Sequence, residues 1–413
     1  MYTTLPHYLH IIYFNIPGTE MPMLQTLTVK LKILPDQASG KLLLDTMAAY
    51  SHACSFVAGK VAKERLPLST YKVHKAVYYD IRSRFRLPSQ MAASVIRTVV
   101  ASYKAIQTAK KNAPSRFSPK KRFSITVPEF RKPQASLVWN RDYSIVLDRS
   151  RSCRLFSVNT LAGRIRVPFR ADAFEWAFAD GVVFGTAKLV CRHGKFYLHI
   201  PVTAEVEDPV PLTPDTVVVG IDRGIRFLAT SFDGKGTAFA SGAVVKKKRA
   251  HYKELRRELQ SRKTSAARRR IRSIGQRENR WMGDINHRLS KALVCRYPKG
   301  TLFVLEDLSG IRSATERVLL KDRYVSVSWA YYDLEQKLKY KAERFGSHVI
   351  NVDPAYTSQA CPVCGHTEKR NRKQKRHLFC CRECGYRSND DRVGAMNLWR
   401  MGIKYLPKVQ VSA

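Results

Sequence analysis

Two cysteine pairs near the C-terminus, Cys361-Pro-Val-Cys364 and Cys381-Arg-Glu-Cys384, constrain this chain more than any other feature. They stand 16 residues apart, within the spacing of a four-cysteine zinc ribbon. A two-residue gap lets both sulfurs of a knuckle face one ion, and Gly365 and Gly385 permit the tight turn after each pair. Four thiolates fill a tetrahedral shell, so this zinc is expected to be structural and not catalytic. Cys380, His366 and His377 are alternative donors, but Cys381 has the right gap to Cys384. Lys369, Arg370, Arg372, Lys373, Lys375 and Arg376 lie between the pairs and point to phosphate contact as well. Cys54, Cys153, Cys191 and Cys295 are scattered, which fits a reducing compartment better than a disulfide framework.

The rest of the composition speaks about partners. The 413 residues carry 73 basic and 33 acidic side chains, a formal net charge of +40. Such an excess is read as nucleic-acid binding driven by counterion release. No run of about 18 apolar residues is present for a spanning helix, and no membrane partner is expected. Residues 1–22 hold an apolar patch, Leu9–Ile16, without a basic region before it or a small-residue cleavage site. They are read as an N-terminal extension, with Met21 and Met23 as alternative starts, and not as a signal peptide. The expected location is the cytoplasm, in association with the nucleoid.

Periodicity divides the chain beyond residue 22. Leu27, Val29, Leu31 and Ile33 alternate with polar residues, a strand that Pro35-Asp36 ends. From 38 to about 109 the apolar spacing is helical. Leu42, Leu43, Met47 and Tyr50 open one helix, and Leu87-Pro88-Ser89 starts another carrying Val95, Ile96, Val99 and Tyr103. Tyr71, Tyr78 and Tyr79 are expected in its core, with stacking on bases as the alternative. After the basic loop 110–122, short strands run to about 206, so a β-rich module is interrupted by a helical insert. Pro209-Val210-Pro211-Leu212-Thr213-Pro214 marks a linker. Val217–Asp222 and Thr301–Glu306 then read as buried strands, with a turn at 233–236, a helix over 329–345 and a strand at 349–352.

Asp222 and Glu306 each end an apolar strand, and Asp391 opens a helix-like segment just beyond the ribbon. A buried strand ending in an unpartnered acid is costly. Three converging carboxylates can hold two divalent cations about 4 Å apart for phosphodiester hydrolysis, and hard oxygen donors suit Mg²⁺ or Mn²⁺. The basic stretch 246–280 is expected to bind phosphate through Lys246, Lys247, Lys248, Arg249, Arg268, Arg269, Arg270 and Arg272. In the helical insert, Ser89 and Gln90, with Arg97, Tyr103 and Lys104, are candidate nucleic-acid contacts, an ordinary amphipathic helix with a polar face being the alternative.

These residues carry a resemblance. Gly220-Ile221-Asp222-Arg223-Gly224-Ile225 resembles the first RuvC motif of the TnpB (OrfB) family of transposon-encoded proteins, and Leu305-Glu306-Asp307-Leu308 the second. Pro354–Gln359 leading into Cys361-x-x-Cys364 resembles that family's approach to its zinc ribbon, and Asn389–Leu398 its third RuvC motif. Counting back from Asn397 in that motif selects Asp391 over Asp390. Val393 stands where many relatives have Asn, which is read as a common variant.

The resemblance implies an α/β fold with β-barrel and helical modules. An RNase H-like (RuvC) nuclease would carry an inserted zinc ribbon, behind a wedge domain interrupted by a helical recognition domain. The implied domains are wedge 23–37 and 113–212, recognition 38–112, nuclease 213–354 and 389–413, and ribbon 355–388. It implies RNA-guided DNA endonuclease activity, with a guide RNA from the transposon end, target DNA, catalytic Asp222, Glu306 and Asp391, structural Zn²⁺ and catalytic Mg²⁺ or Mn²⁺. A miniature type V CRISPR effector of the same ancestry, or a guided binding protein that does not cut, are the other readings. A tyrosine transposase is disfavoured, because no two histidines are spaced i, i+2.

Overall fold

In a computed structural model of the chain, residues 23–111, 127–148, 153–170, 175–224, 226–274, 277–308, 329–373 and 376–407 are described. They fall into two compact units, Leu24–Glu205 and another that begins at Val206, so the boundary lies beside the proline-rich linker. The extension 1–22 and most of the basic loop 110–122 lie outside the described residues.

The N-terminal unit opens with β1 (Met23–Ile33), whose Val29, Leu31 and Ile33 are buried while Thr28 and Lys30 face out. Three helices come next, α1 (Gln37–Lys63), α2 (Thr70–Phe85) and α3 (Ser89–Lys111). Asp36 starts α1 by accepting the Ser39 backbone N–H at 2.7 Å. Leu43, Met47, Tyr50 and Val57 of α1 join Val95, Ile96 and Val99 of α3 in one core. Tyr103 belongs to that core, and its hydroxyl donates to the Ala58 carbonyl at 2.8 Å. Of its two readings, apolar face and nucleic-acid contact, the structure supports the first.

Helix α2 buries a narrow stripe, Val73, Val77 and Ile81, with Ala76, Tyr78 and Phe85 partly buried against the same core. Tyr71 and Tyr79 are 77% and 82% exposed, which corrects their expected place inside. Strands β2 (Gln134–Leu137), β3 (Tyr143–Asp148), β4 (Cys153–Thr160), β5 (Gly163–Arg170), β6 (Val183–Phe184), β7 (Ala187–Arg192) and β8 (Lys195–Val206) complete the unit. With β1 they form an eight-stranded sheet of order β2-β7-β8-β1-β5-β4-β3, with β6 on β8. Among the described residues no pairing closes β2 onto β3, so the expected barrel is here an open strand order.

The second unit is built on a five-stranded sheet: β9 (Val218–Asp222), β10 (Phe227–Phe232), β11 (Thr237–Ser241), β12 (Leu302–Glu306) and β13 (His348–Val352), in the order β11-β10-β9-β12-β13. The first three strands form an antiparallel meander, whereas β12 runs parallel to both β9 and β13. Between β11 and β12 lie α4 (Ala243–Ser261), α5 (Ser265–Ile274) and α6 (Arg277–Arg296); α7 (Trp329–Arg344) precedes β13. The three small strands β14 (Arg372–Lys373), β15 (Leu378–Cys380) and β16 (Arg387–Asn389) lie in the cysteine segment, and α8 (Asp390–Ile403) comes directly after it.

Strand alternation sorts the sheet's two faces. Val219, Ile221, Phe303 and Leu305 pack with Leu293 and Val294 of α6 and with Leu338 and Ala342 of α7. Val218, Leu302 and Val304 pack with Leu398 of α8 on the other face. No helix among the described residues is long and apolar enough to cross a membrane.

Candidate active site and metal centre

The same alternation aims the acids. Asp222 comes after Val218 and Gly220 at even spacing, and Glu306 after Leu302 and Val304, so both turn to the face that α8 covers. The parallel register, Leu305 opposite Ile221, brings the two strand ends side by side. Helix α8 approaches closely because glycines leave room. A Cβ on Gly220 would lie 2.1 Å from the Ala395 carbonyl oxygen and 2.4 Å from the Trp399 nitrogen, and one on Gly394 would lie 3.0 Å from Oδ2 of Asp222. Asn389 caps the helix, its Oδ1 accepting the N–H groups of Asp391 and Arg392 at 3.0 and 3.1 Å. Asp391 is thereby fixed in the first turn, facing the strand ends.

The electrostatics arise from this crowding. Burial, then the charges of Glu306 and Asp391, push Asp222 from 3.8 up to about 8, against the pull of Arg372. Burial and the neighbouring Asp390 raise Asp391 too, opposed by Arg372, His377 and Arg226. The adjacent acids differ in their commitments. Asp390 is 1% exposed and takes Nε of Arg372 at 3.0 Å, with Nδ1 of His377 3.6 Å away. Asp391 keeps Oδ2 buried without a hydrogen-bond partner. Carboxylates raised by burial and then by neighbouring charge, one with an orphaned oxygen, are a donor set that suits a divalent cation. His377, Asp390 and Asp391 also lie with donor atoms within 4.8 Å of one another.

Sequence reasoning misses the residues that hold these acids. Arg223, beside Asp222, donates through Nη1 to Oε2 of Glu335 on α7 at 2.7 Å and to the Tyr331 carbonyl at 3.2 Å, and through Nη2 to the Glu306 carbonyl at 2.5 Å. The Arg223 and Glu335 side chains are 1% and 8% exposed. Burial works against the Glu335 charge, but hydrogen bonds from Asn351, Lys339 and Arg223 hold its carboxyl below its usual value. Burial pushes the Tyr331 phenol up, and the charge of Asp222 adds to that shift. Thr357 donates its hydroxyl to Oε1 of Glu306. No local pattern announces a buried pair 112 residues apart; the only sequence signal was the helical spacing of α7.

The cysteines form a compact cluster with all four sulfurs within 4.8 Å of one another. Cys361 and Cys384 are 3.6 Å apart, and Cys364 and Cys381 3.5 Å, close to the roughly 3.8 Å edge of a tetrahedron with Zn–S near 2.3 Å. The two knuckles repeat one geometry. Gly365 and Gly385 take φ of 79° and 72°, and their N–H groups donate to the carbonyls of Cys361 and Cys381 at 3.0 and 3.2 Å. The donor set fits zinc. Cys380, His366 and His377 stand outside this cluster.

The expected nucleic-acid contacts divide. Lys246, Lys247, Arg268, Arg269, Arg270 and Arg272 are exposed on α4 and α5. Lys248 instead lies 4.7 Å over the Trp281 ring, and Arg249 with Arg256 is paired to Glu278, at 3.5 and 2.6 Å. Ser89 is exposed, and Oε1 of Gln90 accepts Nη1 of Arg141 at 3.0 Å.

Comparison with known proteins agrees with the motifs. Residues 199–309 match the OrfB family model described as a probable transposase, and residues 331–398 match one described as a Cas12f1-like TNB domain. The chain is 32% identical over 231 residues to a protein of Sulfoacidibacillus thermotolerans named CRISPR-associated endodeoxyribonuclease Cas12f1, covering 50% of each. It is 32% identical over 227 residues to one of Escherichia coli K12 named putative RNA-guided DNA endonuclease InsQ, covering 51% of this chain and 54% of that one. The chain thus spans about half the length of the curated relatives it matches.

Among solved structures, it is similar in fold to the protein in a Cas12f1–sgRNA–target DNA complex (TM-score 0.55, 12% identical, covering 91% and 98%). It is likewise similar to CasPhi-2 bound to crRNA (TM-score 0.56, 11% identical, covering 94% and 100%). The two matched stretches between them carry the three acids and the four cysteines, and over them the chain is similar to the OrfB and Cas12f1-like family models.

Proposed function

We propose that this chain is an RNA-guided, divalent-metal-dependent DNA endonuclease that cleaves DNA complementary to a bound guide RNA, beside a short flanking motif. The observation that carries this reading is the convergence of Asp222, Glu306 and Asp391 at the ends of β9 and β12, where burial first, and then the charges of Glu306 and Asp391, raise Asp222 to about 8. A meander with two parallel strands beyond it, and a helix presenting the third acid, supports an RNase H-like nuclease. Mg²⁺ or Mn²⁺ bound there would stabilise the charge that develops on a phosphate and its leaving oxygen. The protein's part is to hold the donors. Asp222 would release its proton to solvent as a cation takes its place, Asp391 would offer Oδ2, and Glu306 is oriented through Thr357. Asp390 serves Arg372 instead of the cation.

The net charge of +40 supports guide RNA and target DNA as partners, as do the names its relatives bear. The ribbon's zinc is structural in this reading, and neighbouring genes, a transposon end or a CRISPR array, distinguish transposon from CRISPR context. The test is to purify the chain from cells carrying its native locus, sequence the bound RNA, and assay guide-matched DNA bearing a randomised flank with Mg²⁺. Wild-type protein is expected to cut, and Asp222→Ala to bind without cutting. Equal cutting by both would sink the assignment.

A further inference from the structure

We infer that Thr357 is a positioning residue for Glu306, set in place by the scaffold of the zinc ribbon; the inference rests on the metal-site reading above. Thr357 is 3% exposed. Its hydroxyl reaches Oε1 of Glu306 and lies 3.0 Å from the Pro354 carbonyl. A hydroxyl has one proton, and the charged carboxylate is the stronger acceptor. Binding Oε1 fixes the carboxylate plane and leaves Oε2 for a cation.

Two buried amides keep Thr357 from drifting. Nδ2 of Asn397 donates to the carbonyls of Thr357 and Ala360 at 2.7 and 2.9 Å. Asn397 lies on α8, so the helix that presents Asp391 also grips the loop that orients Glu306. On the other side Asn371 is fully buried. Its Nδ2 donates to the carbonyls of Gln359 and His366 at 3.1 and 3.3 Å, and its Oδ1 accepts the Arg382 N–H at 3.0 Å. Gln359 belongs to the loop, His366 comes just after the first knuckle and Arg382 lies in the second. One side chain therefore ties both cysteine knuckles to the loop. The path runs from the ribbon through Asn371 and the loop to Thr357 and Glu306, and it touches no metal ligand of the acid cluster except Glu306.

The test uses the full-length, zinc-loaded chain in chelator-free buffer, with Mn²⁺ binding read by titration calorimetry beside zinc content and melting temperature. Thr357→Val is expected to weaken Mn²⁺ binding about tenfold or more, the range seen when an outer-shell partner is lost, with zinc content unchanged. Thr357→Ser should recover most of the loss. If Thr357→Val does not fold, the Ser and Ala variants, which differ only in the hydroxyl, decide the matter: equal Mn²⁺ affinity overturns the inference. Asp222→Ala separates the two ideas. Binding that Asp222→Ala abolishes and Thr357→Val leaves untouched overturns the positioning role alone. Binding that ignores Asp222→Ala overturns the metal site and this inference with it.

Discussion

Asp222 is held in conflict with its surroundings. Burial and the facing charges of Glu306 and Asp391 move its pKa from 3.8 to about 8. The folded chain therefore binds a proton there over a range in which the unfolded carboxylate is ionised, and stability falls as pH rises from about 4 through 8. In divalent-free, chelator-free buffer, Asp222→Asn is expected to raise unfolding stability by about 1–3 kcal/mol at pH 8, with the gain shrinking toward pH 5. Urea unfolding across that range measures it, and a gain that does not change with pH would refute the crowding. Asp222 and Glu306 are legible in sequence because an apolar run ending in an acid is a local pattern. The proposed choice of Asp391 over Asp390 rests on space, where Arg372 pairs with Asp390 and His377 lies 3.6 Å from it, while Oδ2 of Asp391 has no hydrogen-bond partner. Tyr71 and Tyr79 fail for the opposite reason. Their helical context resembles core, but α2 is buried along one stripe and neither tyrosine lies on it.

At the scale of elements, the contact between β9 and α8 sets the site. Gly220→Ala would drive a methyl group into the backbone of Ala395 and Trp399, so a loss of about 3 kcal/mol or more is expected. Gly59→Ala on α1 meets nothing within 4 Å and should stabilise by about 0.5–1 kcal/mol. Thermal or urea unfolding of the two variants compares a close approach with an open helix position. The basic stretch shows what pattern alone leaves open. Its charge and helix propensity are plain in sequence, yet it folds as three helices, and Leu259, Ala267 and Ile274 form a small core between α4 and α5. Glu278, 5% exposed, draws Arg249 and Arg256 inward. Arg249→Gln is expected to cost up to about 1 kcal/mol of stability. Arg269→Gln, at an exposed position, should leave stability alone and lower the slope of log affinity against log salt for RNA by about 1. Reversal of these two outcomes would mean that Arg249 carries the phosphate contact.

Across the molecule, a net charge of +40 predicts nucleic-acid affinity that drops steeply with salt, which filter binding of a test RNA from low to high salt would check. Cys381→Ser should release zinc and loosen the segment from Thr357 to Asn389, read as faster hydrogen exchange there while the β9–β12 core stays protected. Residue chemistry is legible in the linear chain: the thiol pairs, the acids at strand ends, the basic excess and the alternation of strand and helix. Each is a short-range pattern of spacing or composition, and short-range patterns survive in a linear string. Which groups share a face is settled by folding. It set Asp222 and Glu306 under α8, buried Arg223 against Glu335, turned Arg249 toward Glu278, and joined Thr357 to Glu306. Those choices depend on strand register, on side-chain volume at Gly220 and Gly394, and on the cost of leaving a buried charge unpaired. All three are set by residues far apart in the chain.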